Sequence, residues 1–108
     1  MKKVVFVLFR KAALTHEQCM AQWNGQQHTS IVRRVPGLRR WVQNQVTEMP
    51  SDTAADGIGE LWFDDAAAME RGMNSPPTVE AVEDAKRFLD MEKTYALMVD
   101  EKTVVGSI

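Results

Sequence analysis

The feature that most constrains the fold is an uninterrupted apolar run near the start of the chain, VVFVLF at residues 4–9. β-Branched and aromatic residues favour strands, and a strand with one face in water alternates apolar with polar side chains. This run does not alternate, so it predicts a strand that is covered on both faces. Helices packed on one side of a sheet would cover only one of those faces.

The rest of the chain predicts two helical regions and three further strands. Thr15, followed three residues later by Gln18, is typical of a capping box at a helix start, and Pro36 and Gly37 end that helical region. A second region begins with a short helix capped by an aspartate and continues after a Ser-Pro break. Its last helix is predicted to present Val79, Val82, Ala85 and Leu89 on one face, and the remaining strands are predicted at residues 38–47, 57–63 and 94–105.

The resulting order, β-α-β-β-α-β, predicts an α+β fold of the ferredoxin-like class, with a four-stranded antiparallel sheet and helices on one face. The strand at residues 4–9 needs cover on the other face too. A second copy of the chain would supply it, so that two sheets close into a dimeric α/β barrel. We therefore predict a homodimer, and the length of 108 residues predicts a single domain, 1–108.

Charge and composition exclude several classes of partner. The formal net charge is −2, which argues against a nucleic-acid partner because such binding needs many cations. A basic run around Pro36 is interpreted as a solvated rim. This basic run consists of Arg33, Arg34, Arg39 and Arg40.

Cellular location follows from cysteine usage and hydropathy. The one cysteine, Cys19, lies on an apolar helix side and is interpreted as a core residue, which suits a reducing cytoplasm. The apolar run at residues 4–9 is shorter than the roughly 7–15 residues of a signal-peptide core. No stretch approaches a membrane span, so we expect a cytoplasmic protein with no membrane partner.

Several motifs together resemble the EthD domain family of dimeric α/β barrels. They are Trp23, His28, PGLR at 36–39, QN at 43–44, DGIGELWFD at 56–64 and EDAKRFLD at 83–90. The resemblance covers almost the whole chain. It implies the dimeric barrel and a link to bacterial degradation of ether compounds beside an oxidative cytochrome system. Related barrels include lactone isomerases, polyketide cyclases and dehydratases, and monooxygenases, many of which work without a metal or an organic cofactor.

The sequence departs from that family in the spacing of Trp23 and His28. Four residues separate them here, where the family more often has three. In a regular helix this spacing turns the two side chains about 140° apart. We predict a one-residue π-bulge at Gly25, which would return both side chains to one face, as such bulges often do at functional sites.

Two residues are candidates for acid/base chemistry. His28 shares a helix face with Ile31 and Val35, so it is predicted to point toward the sheet; it is either a catalytic acid/base or a core histidine with one hydrogen bond. Glu60 lies mid-strand in an apolar setting and needs a partner, for which His28 and Arg10 are candidates. The Glu60 carboxylate would then orient the imidazole, or form a structural ion pair.

Four residues are candidate ligand contacts. Trp23 and Trp62 would form aromatic walls of a pocket for a small apolar ligand, or pack in the core. Asn44 would orient a ligand carbonyl or face solvent, and Tyr95 would donate a proton or cap the pocket. The loop at residues 48–57 is either a lid or a connector.

These observations favour a cytoplasmic protein that processes a small hydrophobic or aromatic carbonyl compound by isomerisation, cyclisation or dehydration, without a cofactor. One alternative is a monooxygenase, with haem bound at His28 as a variant of it. Another is a non-catalytic, metabolite-binding accessory protein, and a third is a purely structural dimer core. A metal site at His16 and His28 is rejected because the helix between them spans roughly 18 Å, and His16 is expected to be exposed.

Overall fold

The chain folds into a four-stranded antiparallel sheet with strand order β2-β3-β1-β4 and four helices. The structure is a computed structural model, and it describes residues 1–106. The predicted ferredoxin-like α+β fold is confirmed, although each predicted helical region contains two helices. The elements are β1 (Lys2–Leu8), α1 (His16–Trp23), α2 (Gln26–Val32), β2 (Arg40–Gln45), β3 (Gly57–Phe63), α3 (Ala66–Met73), α4 (Pro76–Ala85) and β4 (Tyr95–Asp100).

The two faces of the sheet differ in what covers them. Val4 pairs with Leu61 across β1 and β3, and both belong to the buried core that α2 and α3 complete. The next pair in register, Val5 with Glu60, points the opposite way because side chains alternate along a strand. No helix of residues 1–106 covers that second face, which we call the open face. Its members on β1, β3 and β2 are Lys3, Val5, Val7, Ile58, Glu60, Trp62, Arg40, Val42 and Asn44.

The first helical region begins as predicted, with both hydrogen bonds of the Thr15–Gln18 capping box present. The predicted π-bulge is wrong, because the chain leaves the helix altogether between α1 and α2. Gly25 has φ −70° and ψ 156°, an extended conformation that starts α2 as its N-cap. A Cβ at Gly25 would lie 3.0 Å from the Ala21 carbonyl oxygen, so the break is closely packed.

The break between α1 and α2 turns Trp23 and His28 toward the same side, as the predicted bulge would have done. Trp23, the last residue of α1, and His28, in the first turns of α2, are 3% and 6% exposed. Both therefore point into the protein. The change of helix axis, rather than an extra residue within one helix, brings these side chains to the same interior.

Two further predictions about the helices have different outcomes. Cys19 is fully buried, as predicted for a core residue. The predicted apolar face of the last helix is wrong in part, since Val79 and Val82 are 61% and 41% exposed and α4 ends at Ala85. Among residues 1–106, no helix has the length and apolar character needed to cross a bilayer.

Candidate functional site

A cavity of about 270 Å³ lies between the helix-covered face of the sheet and the helices. Its walls are apolar, and none of the residues that line it carries a charged side chain. Three large residues of the lining are exposed, namely Tyr95, Val82 and Met91, at 51%, 41% and 38%. These three mark the side on which the cavity opens to solvent, between the end of α4 and the start of β4.

Trp23 forms one wall of the cavity because two glycines of β3 leave room for its ring. A Cβ at Gly57 would lie 2.7 Å from the Trp23 Cζ3 atom, and one at Gly59 would lie 3.3 Å from Cζ2. The indole therefore rests directly on the strand backbone. Gln43 Nε2 also donates to the Trp23 carbonyl oxygen at 2.9 Å, which fixes the end of α1 against β2.

His28 lies in the cavity wall with its imidazole held on three sides. Its Nδ1 is 3.0 Å from Oδ2 of Asp84, a residue of α4. The ring of Phe88 meets the imidazole edge-on at a centroid distance of 5.2 Å, and Trp41 does so at 6.4 Å. A hydrogen bond and two aromatic contacts thus leave the imidazole little freedom to rotate.

Asp84 is buried and binds three side chains. Arg87 donates from Nε and Nη2 to the two carboxylate oxygens, at 2.8 and 3.1 Å, and Gln27 Nε2 donates to Oδ1 at 2.7 Å. The Arg87 contact, followed by those of His28 and Gln27, outweighs burial and lowers the pKa of Asp84 to about 2. The carboxylate is therefore ionised at neutral pH.

His28 is consequently neutral at pH 7. Burial lowers its pKa below 6.5, and the positive charge of Arg87 opposes the contribution of Asp84. Because Asp84 is an ionised acceptor, we assign the imidazole proton to Nδ1, which donates to the carboxylate. The other nitrogen, Nε2, is then an unprotonated acceptor.

The Nε2 atom of His28 is open to the cavity. No hydrogen bond to it is found within residues 1–106. Since no fully buried side-chain nitrogen or oxygen in that part of the chain lacks a partner, Nε2 is not fully buried. His28 lines the cavity, so its free nitrogen is reached from there. An imidazole oriented by a carboxylate, with its second nitrogen facing a cavity, is an arrangement suited to proton transfer.

The predicted pairing of His28 with Glu60 is wrong. Glu60 lies on the open face, where Lys3 Nζ donates to Oε1 at 3.2 Å and Asn44 Nδ2 donates to Oε2 at 3.3 Å. Trp62 lies on the same face, between Lys3 and the Arg40 guanidinium, which are 4.9 and 4.7 Å from its ring centroid. Glu60, Asn44 and Trp62 are thus separated from the cavity by the sheet.

Of the predicted site residues, Trp23 and His28 lie together at the cavity, whereas Tyr95 borders its opening but, paired with Val7 of β1, directs its side chain to the open face. Sequence reasoning missed Asp84, Arg87 and Trp41. Asp84 precedes Arg87 by three residues, a spacing that brings side chains together on a helix and was the available signal. No residue of the loop at 48–56 lines the cavity, so that loop does not act as its lid in this conformation.

A second histidine–aspartate contact, between His16 and Asp56, lies near the end of β1 at Leu8. Asp56, which is 2% exposed, accepts from the Arg10 backbone nitrogen at 2.9 Å, from Arg10 Nη1 at 3.0 Å and contacts His16 Nδ1 at 2.8 Å. His16 is therefore partly buried and bound, contrary to the expectation that it is exposed. Arg10 pairs with Asp56 and not with Glu60. Within residues 1–106, no group of three His, Cys, Asp or Glu side chains has the arrangement of metal ligands.

The fold and the cavity define a ferredoxin-like α+β protein with a largely apolar cavity between its sheet and helices. The family model of the EthD domain matches residues 11–92, so the chain belongs to the EthD domain family. No curated protein matches the sequence significantly.

Solved structures similar to this chain share its fold at low sequence identity. An ethyl tert-butyl ether d (EthD) family protein from Bacillus halodurans has a TM-score of 0.77 at 18% identity, covering 94% of this chain and 99% of its own. A dimeric ferredoxin-like protein of unknown function from Bacteroides fragilis has a TM-score of 0.70 at 9% identity, with 93% and 95% covered. SnoaB, a cofactor-independent oxygenase from Streptomyces nogalater, has a TM-score of 0.69 at 10% identity, with 98% and 97% covered.

Proposed function

We propose that the chain is an enzyme that moves a proton on a small hydrophobic or aromatic carbonyl compound, in catabolic or secondary metabolism, without a cofactor. The observation that carries this proposal is the His28–Asp84 pair, with Nε2 facing an uncharged cavity of about 270 Å³. Isomerisation, cyclisation and dehydration all begin with such a transfer. His28 is the catalytic residue, and Asp84 is a positioning residue.

The proposed step removes a proton from an acidic C–H or O–H group of the bound compound. Neutral His28 accepts this proton at Nε2 and becomes an imidazolium, while the compound becomes an enolate or phenolate. Asp84, ionised and hydrogen-bonded to Nδ1, stabilises the new positive charge. The low polarity of the cavity strengthens the attraction between the two charges formed, since little water screens them.

Arg87 keeps the pair in the state that this step needs. Its two hydrogen bonds hold the Asp84 carboxylate in place, and its charge favours the neutral form of His28. A base must be unprotonated at the working pH to accept the proton, and the lowered pKa of His28 provides that state at pH 7. Arg87 is therefore a second positioning residue.

We also propose that the working molecule is a homodimer that closes the open face. Val5, Val7, Val42 and Ile58 form a half-buried apolar surface there, and no element within residues 1–106 covers it. Burial of such a surface against its symmetric copy is the common way to form a stable dimer. The dimeric Bacteroides fragilis protein, which shares this fold, supports the same assembly.

Hydrogen–deuterium exchange tests the proposed chemistry without knowledge of the natural substrate. Phenylacetone, an apolar ketone with acidic C–H groups, is incubated in D2O with the protein, and loss of its α-proton signals is followed by NMR. We expect faster exchange than in buffer alone, and loss of at least tenfold of that acceleration in His28→Gln. Glu60→Gln, on the opposite face of the sheet, is the matched control and should exchange at the wild-type rate. Equal acceleration by wild type and His28→Gln would refute the assigned role.

A second candidate function is cofactor-independent oxygenation. It is favoured by the structural similarity to SnoaB and by the aromatic rings around His28, which would hold a flat, electron-rich anion. The same proton transfer would form that anion, which would then react with O2 instead of being reprotonated. Oxygen consumption with a phenolic substrate, measured with an oxygen electrode, separates this candidate from isomerisation.

The haem variant of the monooxygenase alternative fits the site less well. His28 Nε2 would be the atom that holds the haem iron, but the cavity, at about 270 Å³, is smaller than the roughly 300–1,000 Å³ typical of sites for drug-sized ligands. A four-pyrrole macrocycle would require the helices to separate from the sheet. Titration with haemin, followed by absorbance in the Soret region, tests this alternative.

A further inference from the structure

The lining of the cavity is apolar apart from a few side-chain polar atoms, of which His28 Nε2 is an acceptor without a hydrogen bond in residues 1–106. Two threonines of the lining are already engaged, since Thr78 donates to the Gly72 carbonyl oxygen at 2.7 Å and Thr94 accepts from the Phe9 backbone nitrogen at 3.2 Å. Tyr95 is half exposed at the opening. The indole N–H groups of Trp23 and Trp41 are donors, so in the part of the chain that the structure describes His28 Nε2 is the unpaired side-chain acceptor that the interior offers a ligand.

The protonation state of His28 determines which ligand group can bind there. With its proton on Nδ1, the imidazole presents Nε2 as a hydrogen-bond acceptor, so the matching ligand group is a donor. A hydroxyl satisfies it directly. A ligand without a donor would leave the buried nitrogen unpaired, at a cost of about tenfold in affinity, as expected for one neutral hydrogen bond.

The charge of the lining excludes ionised ligands. No lysine or arginine lines the cavity, and the nearby Arg87 guanidinium is bound to Asp84. A carboxylate inside would lose its hydration without gaining a cation, which is strongly unfavourable. It would also place an acceptor against the Nε2 acceptor.

The volume of the cavity sets the size of the ligand. A cavity of about 150 Å³ in another protein takes up benzene. The cavity in this chain, at about 270 Å³, has room for about twice that ring system. Trp23, Trp41 and Phe6 supply flat or apolar walls for it, so fused aromatic rings fit better than a branched aliphatic skeleton.

We infer that the cavity binds an uncharged aromatic compound of about two fused rings that carries one hydroxyl group, and that this hydroxyl donates to His28 Nε2. This inference names the class of ligand that the site binds. It rests on the proposed function only where His28 is taken as the group that reacts with the bound hydroxyl compound. Binding and catalysis are measured separately, so one can fail without the other.

Calorimetric titration with three compounds of one skeleton tests the inference. They are 2-naphthol, naphthalene and 2-naphthoate at pH 7.5, where the naphthol is neutral and the acid is ionised. We expect one 2-naphthol per chain, about tenfold weaker binding of naphthalene, and at least hundredfold weaker binding of 2-naphthoate. Absence of 2-naphthol binding up to its solubility, or equal affinity for 2-naphthoate, would overturn the inference.

Two variants locate the binding. His28→Phe removes the acceptor and should make the affinities for 2-naphthol and naphthalene equal within about twofold. Ala81→Leu narrows the cavity from α4 and should weaken both compounds at least tenfold, whereas Ala67→Leu, at an exposed position of α3 outside the lining, should weaken neither. Unchanged 2-naphthol affinity in Ala81→Leu would place the compound elsewhere and contradict the inference.

NMR of the histidine ring nitrogens locates the bound 2-naphthol without a variant. In wild-type protein, 2-naphthol should shift the Nε2 resonance of His28 and leave that of His16 unchanged, because His16 lies outside the cavity lining. A shift at His16 alone would contradict the inference. If 2-naphthol binds as described but His28→Gln retains full deuterium exchange of phenylacetone, the proposed function fails and the ligand class stands.

Discussion

At the scale of single residues, His28 has the most consequential environment in the protein. Its inward direction could be predicted from its helix face, which it shares with Ile31 and Val35. Its partner could not, because Asp84 lies 56 positions further along the chain, in an acidic run that reads as a solvated helix face. The sequence also left open which face of β3 meets the helices. Gly57 and Gly59 decide this, because they leave space for Trp23 on their own side and so place Glu60 on the other.

The glycines of β3 lead to a graded prediction about Trp23. Gly57→Ala should lower the free energy of unfolding by about 1–3 kcal/mol, since its Cβ would overlap the indole and force a shift. Gly59→Ala should cost less, because its Cβ would be 3.3 Å from the ring instead of 2.7 Å. Urea unfolding of both variants measures the difference. A larger loss in Gly59→Ala than in Gly57→Ala would contradict the packing described.

Arg87 gives a prediction about the charge on His28. Replacement Arg87→Met removes the positive charge that disfavours the imidazolium and leaves Asp84 free to pair with it. The pKa of His28 should therefore rise, as measured by NMR titration of its ring protons. The chain has two histidines, and the signal of His16, which contacts Asp56 instead, is the internal control. An unchanged or lower pKa of His28 would show that Arg87 does not tune it.

At the scale of elements, the contact between α2 and α4 connects structure with chemistry. The helical regions themselves could be predicted from caps and breaks, as the Thr15 capping box and the Pro36–Gly37 end illustrate. The splitting of the first region at Gly25 was interpreted as a bulge, because side-chain spacing alone does not distinguish a bulge from a break. Two axes are needed here, since α1 packs Trp23 on β3 while α2 presents His28 to Asp84 on α4.

The same contact predicts how stability depends on pH. The pKa of His28 is 6.5 in the unfolded chain and lower in the folded protein. As the pH falls from 6.5 toward the folded-state pKa, the unfolded chain binds a proton that the folded protein does not. The free energy of unfolding therefore falls as the pH falls through this window. The contribution of Asp84 is present above its unfolded pKa of 3.8 and is lost as pH falls toward about 2. Unfolding free energies at pH 7.5 and pH 5 should differ less in His28→Gln than in wild type. A pH dependence as steep in the variant would assign the effect to other groups.

At the scale of the whole molecule, the sheet has one face buried under helices and one partly apolar face that no helix of residues 1–106 covers. This asymmetry was predictable from the uninterrupted run at residues 4–9, because no single layer of helices can cover both sides of a strand. The edge strands were harder to place. The partly exposed surface of β4, with Leu97 49% and Met98 58% exposed, follows from its position at the edge, which depends on the strand order and not on local sequence.

The proposed dimer gives a prediction at this scale. Wild-type protein should sediment as a dimer at micromolar concentration, and Val7→Asp, which places a charge in the centre of the open face, should sediment as a monomer. Val79→Asp is the matched control, because Val79 is an exposed valine of α4 and lies away from that face. A wild-type monomer, or a dimer that Val7→Asp leaves intact, would contradict the proposed assembly.

The central claim is that His28 presents an unprotonated Nε2 to an apolar cavity, oriented by Asp84. The most direct test is a 15N NMR spectrum of the imidazole at pH 7, with histidine labelled on both ring nitrogens. We expect a neutral ring for His28, with the proton on Nδ1 and a signal for Nε2 typical of a bare nitrogen. A spectrum that shows His28 as an imidazolium, or with its proton on Nε2, would contradict the account.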